Sequence, residues 1–526
     1  MEETDVVFLW GSNARETHPI FFHHVHKGLR RGARLFVVDP RRTTSADWAD
    51  VWAGLQVGTD IALAHGLAHI IVRDGLEHRA FIDRATTGFA AYRDDVLAHF
   101  PPARVAAITG VDVATLEHMA HAYARADRAM ICWTLGITEH HNAVDNVLAL
   151  INLALLTGHV GRWGSGLNPL RGQNNVQGGG DMGALPHKLT GFQDVDDPVA
   201  RGRFEAAWGV PIPPEPGWHL TDMFAAMERG ELRALHVIGE NPARSEADGG
   251  RANHLLAGLD TLIVQDLFLT STAELADVVL PASASFAEAD GTVTNSERRV
   301  QRVRRAVAPP AGARDDIAIL AALSRRLGRD LGEPTPEELW DELRALSPMH
   351  GGMSYARLAA EGGIQWPCPD ADSPGTPFLH GRLWAEPRGG PAAPFHVVAQ
   401  VAPFEALDAD FPLRLTTGRR LESFNTGVQS QSYRSPLRRR ESLDVSPTDA
   451  ARHGVADGEV VRVSSRRGAV EVPVRIDPTL RPGLVFMTFH FPDQVDTNLL
   501  TIDATDPKSG TAEFKAAAVR IDRLAG

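Results

Sequence analysis

The chain has 526 residues, 43% of them hydrophobic and 23% charged, the composition of a soluble globular protein with several cores and not of a disordered or disulfide-stapled one. Lys and Arg total 53 against 66 Asp and Glu, a net charge of −13, which argues against a nucleic-acid or anionic-membrane surface. Two cysteines, Cys132 and Cys368, cannot by themselves build an iron–sulfur or Cys-rich zinc site; no apolar run approaches the roughly 18 residues of a membrane span, and no export signal is visible.

Asp5–Trp10 (DVVFLW) predicts a strand that ends in the turn Gly11-Ser12-Asn13. Pro19 opens a helix expected to run to Arg31, with Gly32 at its C′ position, and Arg34–Val38 is the next strand, ending in Asp39-Pro40-Arg41-Arg42. Strand, glycine turn, helix, strand and acid make a βαβ nucleotide-binding half. Val113–Arg125 predicts a helix. Cys132, at the end of the strand before Gly136, reads as a buried structural thiol. His140 and His141 follow the Gly136 turn, either approaching a cofactor edge or, the favoured expectation, exposed or capping. Downstream, Leu235–Ile238 leads into Gly239-Glu240-Asn241-Pro242, and Thr261–Val264 ends at Gln265-Asp266. Asp315–Leu327 predicts another helix. Residues 366–395 carry seven prolines and read as a linker that holds Cys368 incidentally. Beyond it, Ser446-Pro447-Thr448-Asp449 signals a short capped helix stopped by Gly454. Val460–Val463 and Val470–Ile476 alternate around Arg467-Gly468, a hairpin signal within a β-rich unit expected to be a small barrel.

The α/β unit occurs twice. Gly11 to Asp39 is 28 positions and Gly239 to Asp266 is 27; from Asp39 to Asp50 and from Asp266 to Asp277 is 11 each. The segment Thr44–Val51 matches Ser271–Val278. Either two similar α/β domains stand side by side, or an internal duplication creates two nucleotide sites; the second is favoured because turn, acid and downstream helix match together. In each half the glycine turn lets a phosphate approach a helix N-terminus, and the acid can accept from a ribose hydroxyl. Candidate contacts are Gly11, Ser12, Asn13, Asp39 and Arg41 in the first half, and Gly239, Glu240, Asn241, Gln265, Asp266, Ser271 and Asp277 in the second. The G-x-G-x-x-G fingerprint is absent from both, which disfavours NAD and FAD.

Residues 172–183 (GQNNVQGGGDMG) pack four Asn/Gln side chains and five glycines into twelve positions. Such a loop suits a large planar polar ligand, with Gln173, Asn174, Asn175, Asp181 and Met182 at its edges and Gly178 permitting close approach; the alternative is an Ω-loop that satisfies its own backbone. Arg171, immediately before it, is either a two-point clamp for a carboxylate or a structural ion pair.

The run GLNPLRGQNNVQGGGDMGALP resembles the catalytic subunit of molybdenum or tungsten formate dehydrogenases, within the bis-molybdopterin-guanine-dinucleotide oxidoreductases. The likeness covers nearly the whole chain: WGSN (10–13), VDPRR (38–42), VGTD (57–60), Gly136-Ile137-Thr138, DNVLALINLALLTGHVG (145–161), GENP (239–242), QDLFLTSTAELADVVLP (265–281), DGTVTNSERRVQ (290–301), TTGR (416–419), FNTG (424–427), MTFHF (487–491), Asn498-Leu499-Leu500-Thr501 and Glu513-Phe514-Lys515. It implies an α/β fold of two duplicated Rossmann-like domains (1–170 and 171–365), the linker 366–395 and a C-terminal double-psi barrel (396–526) that closes over the pterins. It adds Gly58, Asp60, Gly136, Thr417, Gly418, Arg419, Asn498 and Lys515 to the expected cofactor contacts, and makes Arg171 the formate-binding group. Formate's hydride would pass to the oxidised metal and CO2 would leave. The family's Cys-rich [4Fe–4S] segment and its Cys or selenocysteine metal ligand have no counterpart here, so no metal ligand is assigned. Electrons would pass to iron–sulfur and flavin- or NAD-reducing subunits, in the cytoplasm, with no membrane insertion. The absent segment leads to the expectation that Met1 is not the natural start and that upstream DNA encodes clustered cysteines and a TGA or Cys codon. A non-catalytic subunit of an electron-transfer complex and another molybdopterin enzyme, such as a nitrate reductase, remain the alternatives.

Overall fold

The computed structural model of the chain describes residues 1–524 apart from 286, 422 and 428–439. They form two compact units, one of residues 1–170, 244–252 and 378–526, the other of residues 171–243 and 253–377. In the first unit β1 (Val6–Trp10), β2 (Arg34–Val38), β3 (Val51–Ala53), β4 (Ala129–Trp133) and β5 (Gly166–Pro169) make one parallel sheet, in the order β3-β2-β1-β4-β5. Every side chain of β1 is buried because helices cover both faces, so its sequence is a continuous apolar run without alternation. One face packs Phe22 and Val25 of the helix Pro19–Leu29 against Leu35, Val37 and Cys132. On the other, the apolar helices Asp60–Arg73 and Ala143–Thr157 lie against Phe8, Trp10 and Phe36. The first helix ends at Leu29, two residues before the expected Arg31, and Gly32 takes φ +99° in the turn that follows. Trp10 is in register with Val38 on one side and Trp133 on the other, which brings the turns after all three strands to one edge of the sheet. That edge is where ligands bind in open parallel sheets.

In the second unit β6 (Ala234–Ile238), β7 (Thr261–Asp266) and β8 (Val278–Pro281) are also parallel, in the order β8-β7-β6. The helix Asp316–Arg326 is capped by Asp315, and Pro336–Leu346 starts with a Thr335–Glu338 capping box. The Pro-rich stretch 366–395 is packed, in contrast to the solvated linker that its prolines suggest. Cys368 lies in a core with Trp340, Leu343, Met353 and Tyr355, and Leu383 joins the core of the first unit. Its tryptophans and leucine supply apolar area that the proline count hides.

The C-terminal strands β9 (Leu413–Thr417), β10 (Leu443–Val445), β11 (Val460–Ser464), β12 (Ala469–Ile476), β13 (Leu484–Met487) and β14 (Ala517–Arg523) close into a barrel, in the order β9-β13-β10-β12-β11-β14. β11 and β12 form the expected hairpin, with Ser464 opposite Ala469. β9 pairs parallel with β13 and β10 with β12, neither pair being consecutive in the chain. Ser446 accepts from Asp449 N–H at 3.0 Å and Gly454 ends the short helix at φ +65°. The chain thus has the expected fold class: duplicated parallel α/β sheets and a double-psi type of barrel.

Candidate active site

The first half-site is built on two glycines. Gly11, at φ +55°, and Gly136 meet backbone to backbone: a Cβ on Gly11 would lie 2.8 Å from the Gly136 carbonyl carbon, and one on Gly136 would lie 2.6 Å from Gly11 Cα. Gly136 N–H and the Thr134 hydroxyl both donate to Gly11 C=O, at 3.2 and 2.7 Å. The result is a shallow cradle of bare backbone above β1. At its rim Asp39 Oδ1 accepts from Arg41 N–H at 2.9 Å, and burial raises the Asp39 pKa. The Arg41 guanidinium stacks 3.6 Å from the ring centre of Phe486, on barrel strand β13. The cation is thereby held in place before any anion arrives.

The second half-site repeats the bonds around the turn and acid of the first, but among the described residues Gly239 has no counterpart of Gly136 packed against it. Asn13 Oδ1 accepts from Ser45 N–H and Oγ–H at 3.3 and 2.9 Å, as Asn241 Oδ1 does from Thr272 at 3.1 and 2.7 Å. Arg15 N–H donates to Ser45 Oγ and Ala243 N–H to Thr272 Oγ1, at 3.0 Å in both. Gly11 N–H bonds Val38 C=O, and Gly239 N–H bonds Gln265 C=O. Asp266 Oδ1 accepts from Phe268 N–H as Asp39 does from Arg41. Leu35 N–H donates to Asp50 Oδ2 and Leu262 N–H to Asp277 Oδ2, both at 2.7 Å. These bonds commit atoms of three expected contacts to the scaffold. Asp277 ties its own sheet together, and the Asn13 and Asn241 carbonyl oxygens hold the helix behind the turn; none of the three presents these atoms to a ligand. Glu240 is exposed beside Gly239, which has φ +64°, and Ser271 opens the short helix that carries Thr272.

Below the first cradle lies a charged cluster. Asp60 Oδ1 accepts from the Trp10 indole at 2.8 Å; burial raises its pKa against the attraction of His140. Gly58 turns at φ +78° against Pro403. His140, only 3% exposed, donates from Nε2 to Gly136 C=O at 3.1 Å and turns Nδ1 to Glu513 Oε1 at 3.3 Å. His141 Nδ1 lies 2.9 Å from Glu513 Oε2, in ion-pair range but off the line of a hydrogen bond. Of the exposure or capping expected for these histidines, His140 shows the second, on the Gly136 carbonyl of the short helix before it, and not the first: the barrel supplies a buried carboxylate that the local sequence does not reveal. Lys515 pairs with Glu139 at 2.6 Å and donates to Thr417 C=O at 3.3 Å. The Thr417 hydroxyl donates to Phe514 C=O; Gly418 leaves room for the Phe486 ring; Arg419 donates to Ser423 C=O at 2.9 Å. Asn498 is buried, donating to Arg244 C=O and accepting from the Thr501 hydroxyl. Cys132 is fully buried, its thiol pushed up to about 12 by desolvation, which makes it inert.

The loop 171–186 is half ligand-like and half self-bonded. Gln173 and Asn174 are exposed, as is Met182. Asn175, at φ +61°, spends Oδ1 on Thr294 N–H at 2.9 Å and fills the space where a Gly178 side chain would go. Asp181 is 0% exposed and accepts from Gln177 Nε2 and Trp366 Nε1, at 2.9 Å each. Asn175 and Asp181 thus spend these side-chain oxygens on supporting the loop. Arg171 Nε donates to Gln177 Oε1 at 3.1 Å. The roles of Gln177, Trp366, Glu139, Glu513 and Phe486 escaped the sequence reading. Only Gln177 carried a signal, its i,i+4 spacing to Asp181.

The residues fit a bound dinucleotide. A Cβ would fill the Gly11–Gly136 cradle, and the buried Ser12 Oγ, Thr43 Oγ1 and Gln265 Oε1 have no hydrogen-bond partner among the described residues, so a polar group entering each half would satisfy them. No group of three or more His, Cys, Asp or Glu suited to a metal occurs among the described residues. Nor is any described helix long and apolar enough to cross a membrane.

Comparison with known proteins agrees with this geometry. A family model described as molybdopterin oxidoreductase matches residues 1–326, and one for the dinucleotide-binding domain of that cofactor matches residues 413–518. The alpha subunit of F420-dependent formate dehydrogenase 2 from Methanococcus maripaludis is 39% identical over 530 residues, covering 100% of this chain and 77% of that protein. Formate dehydrogenase H of Escherichia coli K12 is 35% identical over 532 residues, covering 100% of this chain and 74% of that protein. Among solved structures, acetylene hydratase from Pelobacter acetylenicus superposes with a TM-score of 0.73 at 20% identity, over 100% of this chain and 78% of that one. With two equivalent half-sites, a barrel matching the cofactor-binding domain and similarity along its whole length, this chain belongs to the molybdopterin oxidoreductase family.

Proposed function

We propose that the chain is the catalytic subunit of a formate dehydrogenase, oxidising formate to CO2, a proton and two electrons. Arg171 carries the reading: it is the one cation at the head of the amide- and glycine-rich loop, and its Nε is already held by Gln177. Formate is a planar carboxylate with two acceptor oxygens, and a guanidinium of fixed plane meets both at once. Orientation and charge complementarity, not proton abstraction by a strong base, are what these residues supply. Two dinucleotides would be held, one in each half: one by the Gly11–Gly136 cradle, Ser12, Asp39 and Arg41, the other by Gly239, Glu240, Gln265 and Asp266. When bound, their Mo or W centre provides the two-electron acceptor. Iron–sulfur and flavin subunits in the cytoplasm complete the electron path in this reading.

The test uses protein purified with its complete cofactor and partner complement. Acid release of GMP is expected at about two per metal, and formate, but not nitrate or acetate, should support dye reduction or reoxidation. Arg171→Lys keeps the charge but loses the two-point geometry; kcat/KM for formate should fall by about 2–4 kcal/mol of transition-state binding. A fully loaded protein indifferent to formate and turning over nitrate would replace this reading with the nitrate reductase alternative. A protein that folds without guanine nucleotide would replace it with the non-catalytic one.

A further inference from the structure

A chain of three hydrogen bonds runs behind Arg171, all within the second unit. Arg171 Nε donates to Gln177 Oε1 at 3.1 Å, Gln177 Nε2 donates to Asp181 Oδ1 at 2.9 Å, and Trp366 Nε1 donates to Asp181 Oδ2 at 2.9 Å. Gln177 and Asp181 are four residues apart on the short helix Val176–Asp181, hence on one face. The donor and acceptor roles are not interchangeable. A guanidinium and an indole can only donate, so Gln177 must turn its oxygen to Arg171 and its NH2 to Asp181, and both Asp181 oxygens must accept. Both Asp181 oxygens accept from N–H donors, the pattern of a carboxylate. A proton on Asp181 would weaken both bonds, since a neutral acceptor binds an N–H less strongly than an ionised one.

We propose that Asp181 is a positioning residue for Arg171, acting through Gln177 to orient the guanidinium plane, and doing so as a carboxylate. This rests on the reading of Arg171 as the carboxylate clamp. The bond from Nε to Gln177 ties the guanidinium plane to the relay. The consequence is a pH dependence of substrate binding that resides outside the substrate. Asp181 is wholly buried; desolvation raises its pKa, while Gln177, Trp366, Arg171 and Thr294 pull against it. Arg298, over the Trp366 ring at 5.3 Å, is the other charge at this end. Affinity for a carboxylate is thus lost as pH falls through a value above the ordinary carboxylate range.

Two measurements on the full chain and its assembled enzyme test this. In protein with 15N-labelled tryptophan, the Trp366 indole signal, assigned with Trp366→Phe, should show a titration step above the ordinary carboxylate range. The step should vanish in Asp181→Asn and move to higher pH in Arg171→Gln; a missing step, or one that survives Asp181→Asn, overturns the proposal. In the assembled enzyme, Asp181→Asn and Gln177→Leu should each raise KM for formate tenfold or more at unchanged cofactor content and flatten the acid limb of kcat/KM, and the double variant should be no worse than either alone. Loss of cofactor or thermal stability with KM unchanged would make Asp181 merely structural. Gln177→Leu, at a half-buried position, keeps the test available if Asp181→Asn does not fold. Should the indole step respond to Arg171 while Arg171→Lys leaves formate kinetics untouched, the relay stands and the formate reading fails.

Discussion

Gly136 and Gly11 illustrate how a single hydrogen atom in place of a methyl can decide a site. The contacts a Cβ would make there are with backbone atoms at 2.6–2.8 Å, which cannot rotate away as a side chain could. Gly11 adds a left-handed φ that L side chains adopt only at a cost. We expect Gly136→Ala to lower unfolding stability by about 2–3 kcal/mol and to reduce GMP content in purified protein, because relief of the clash pushes the turns after β1 and β4 apart. Thermal denaturation and nucleotide release measure the two effects, and equal stability with full nucleotide content would show that the cradle has slack. Asn13 and Asn241 teach the complementary lesson: polar residues in a ligand-like motif can be consumed by the scaffold.

At the level of elements, the C-terminal segment 506–515 is clasped to residues 139–145 by alternating charges. Lys515 meets Glu139, Glu513 meets His140 and His141, Asp506 accepts from Val144 N–H at 3.1 Å, and Lys508 meets Asp145. The outer pair is exposed and contributes little. The inner carboxylate is 0% exposed and also accepts from Phe404 N–H at 3.3 Å, so neutralising it weakens several buried bonds to a charged acceptor at once. Glu513→Gln should therefore cost about 2–3 kcal/mol, whereas Lys508→Ala should cost under about 1 kcal/mol. Denaturant unfolding of both variants checks the ratio. Comparable losses would mean that the clasp is held by packing alone.

Across the whole molecule, acid stability is governed by histidines that fold neutral. Burial holds His65, His159 and His350 at about 4, below the usual 6.5. Their folded values are depressed, so as pH falls below 6.5 the unfolded chain takes up protons that the folded chain refuses, and the stability they contribute above 6.5 is lost, fully so by about pH 4. Each contributes a loss of about 2 kcal/mol between pH 7 and pH 5. Neither ring nitrogen of His65 has a hydrogen-bond partner among the described residues, and its ring packs edge-on against Phe100 at 4.7 Å. His65→Phe should therefore flatten the decline in thermal midpoint between pH 7 and pH 5, and an unchanged slope would place the acid sensitivity elsewhere.

Local signals in the sequence determined the elements and their repetition. The apolar run of β1, the Gly11 and Gly239 turns, the hairpin around Arg467-Gly468 and the cap at Ser446 each depend on neighbours within a few residues, and those interactions are written in chain order. The near-equal spacings, 28 and 27 from turn to acid and 11 beyond it in both, already contained the duplication, since corresponding turns and acids must sit about equally far apart to make the same bonds. Tertiary structure alone decided which polar atoms remain for a ligand. Asn175, Asp181 and Asp277 look like contacts in isolation, but Thr294, Trp366 and Leu262, from 15 to 185 residues away, each claim one side-chain oxygen from them. His140 and His141 look exposed until Glu513, over 370 residues downstream, is folded onto them. A hydrogen-bonding group has few partners to give, and which partner reaches it first is settled by the path of the whole chain, which no local pattern records.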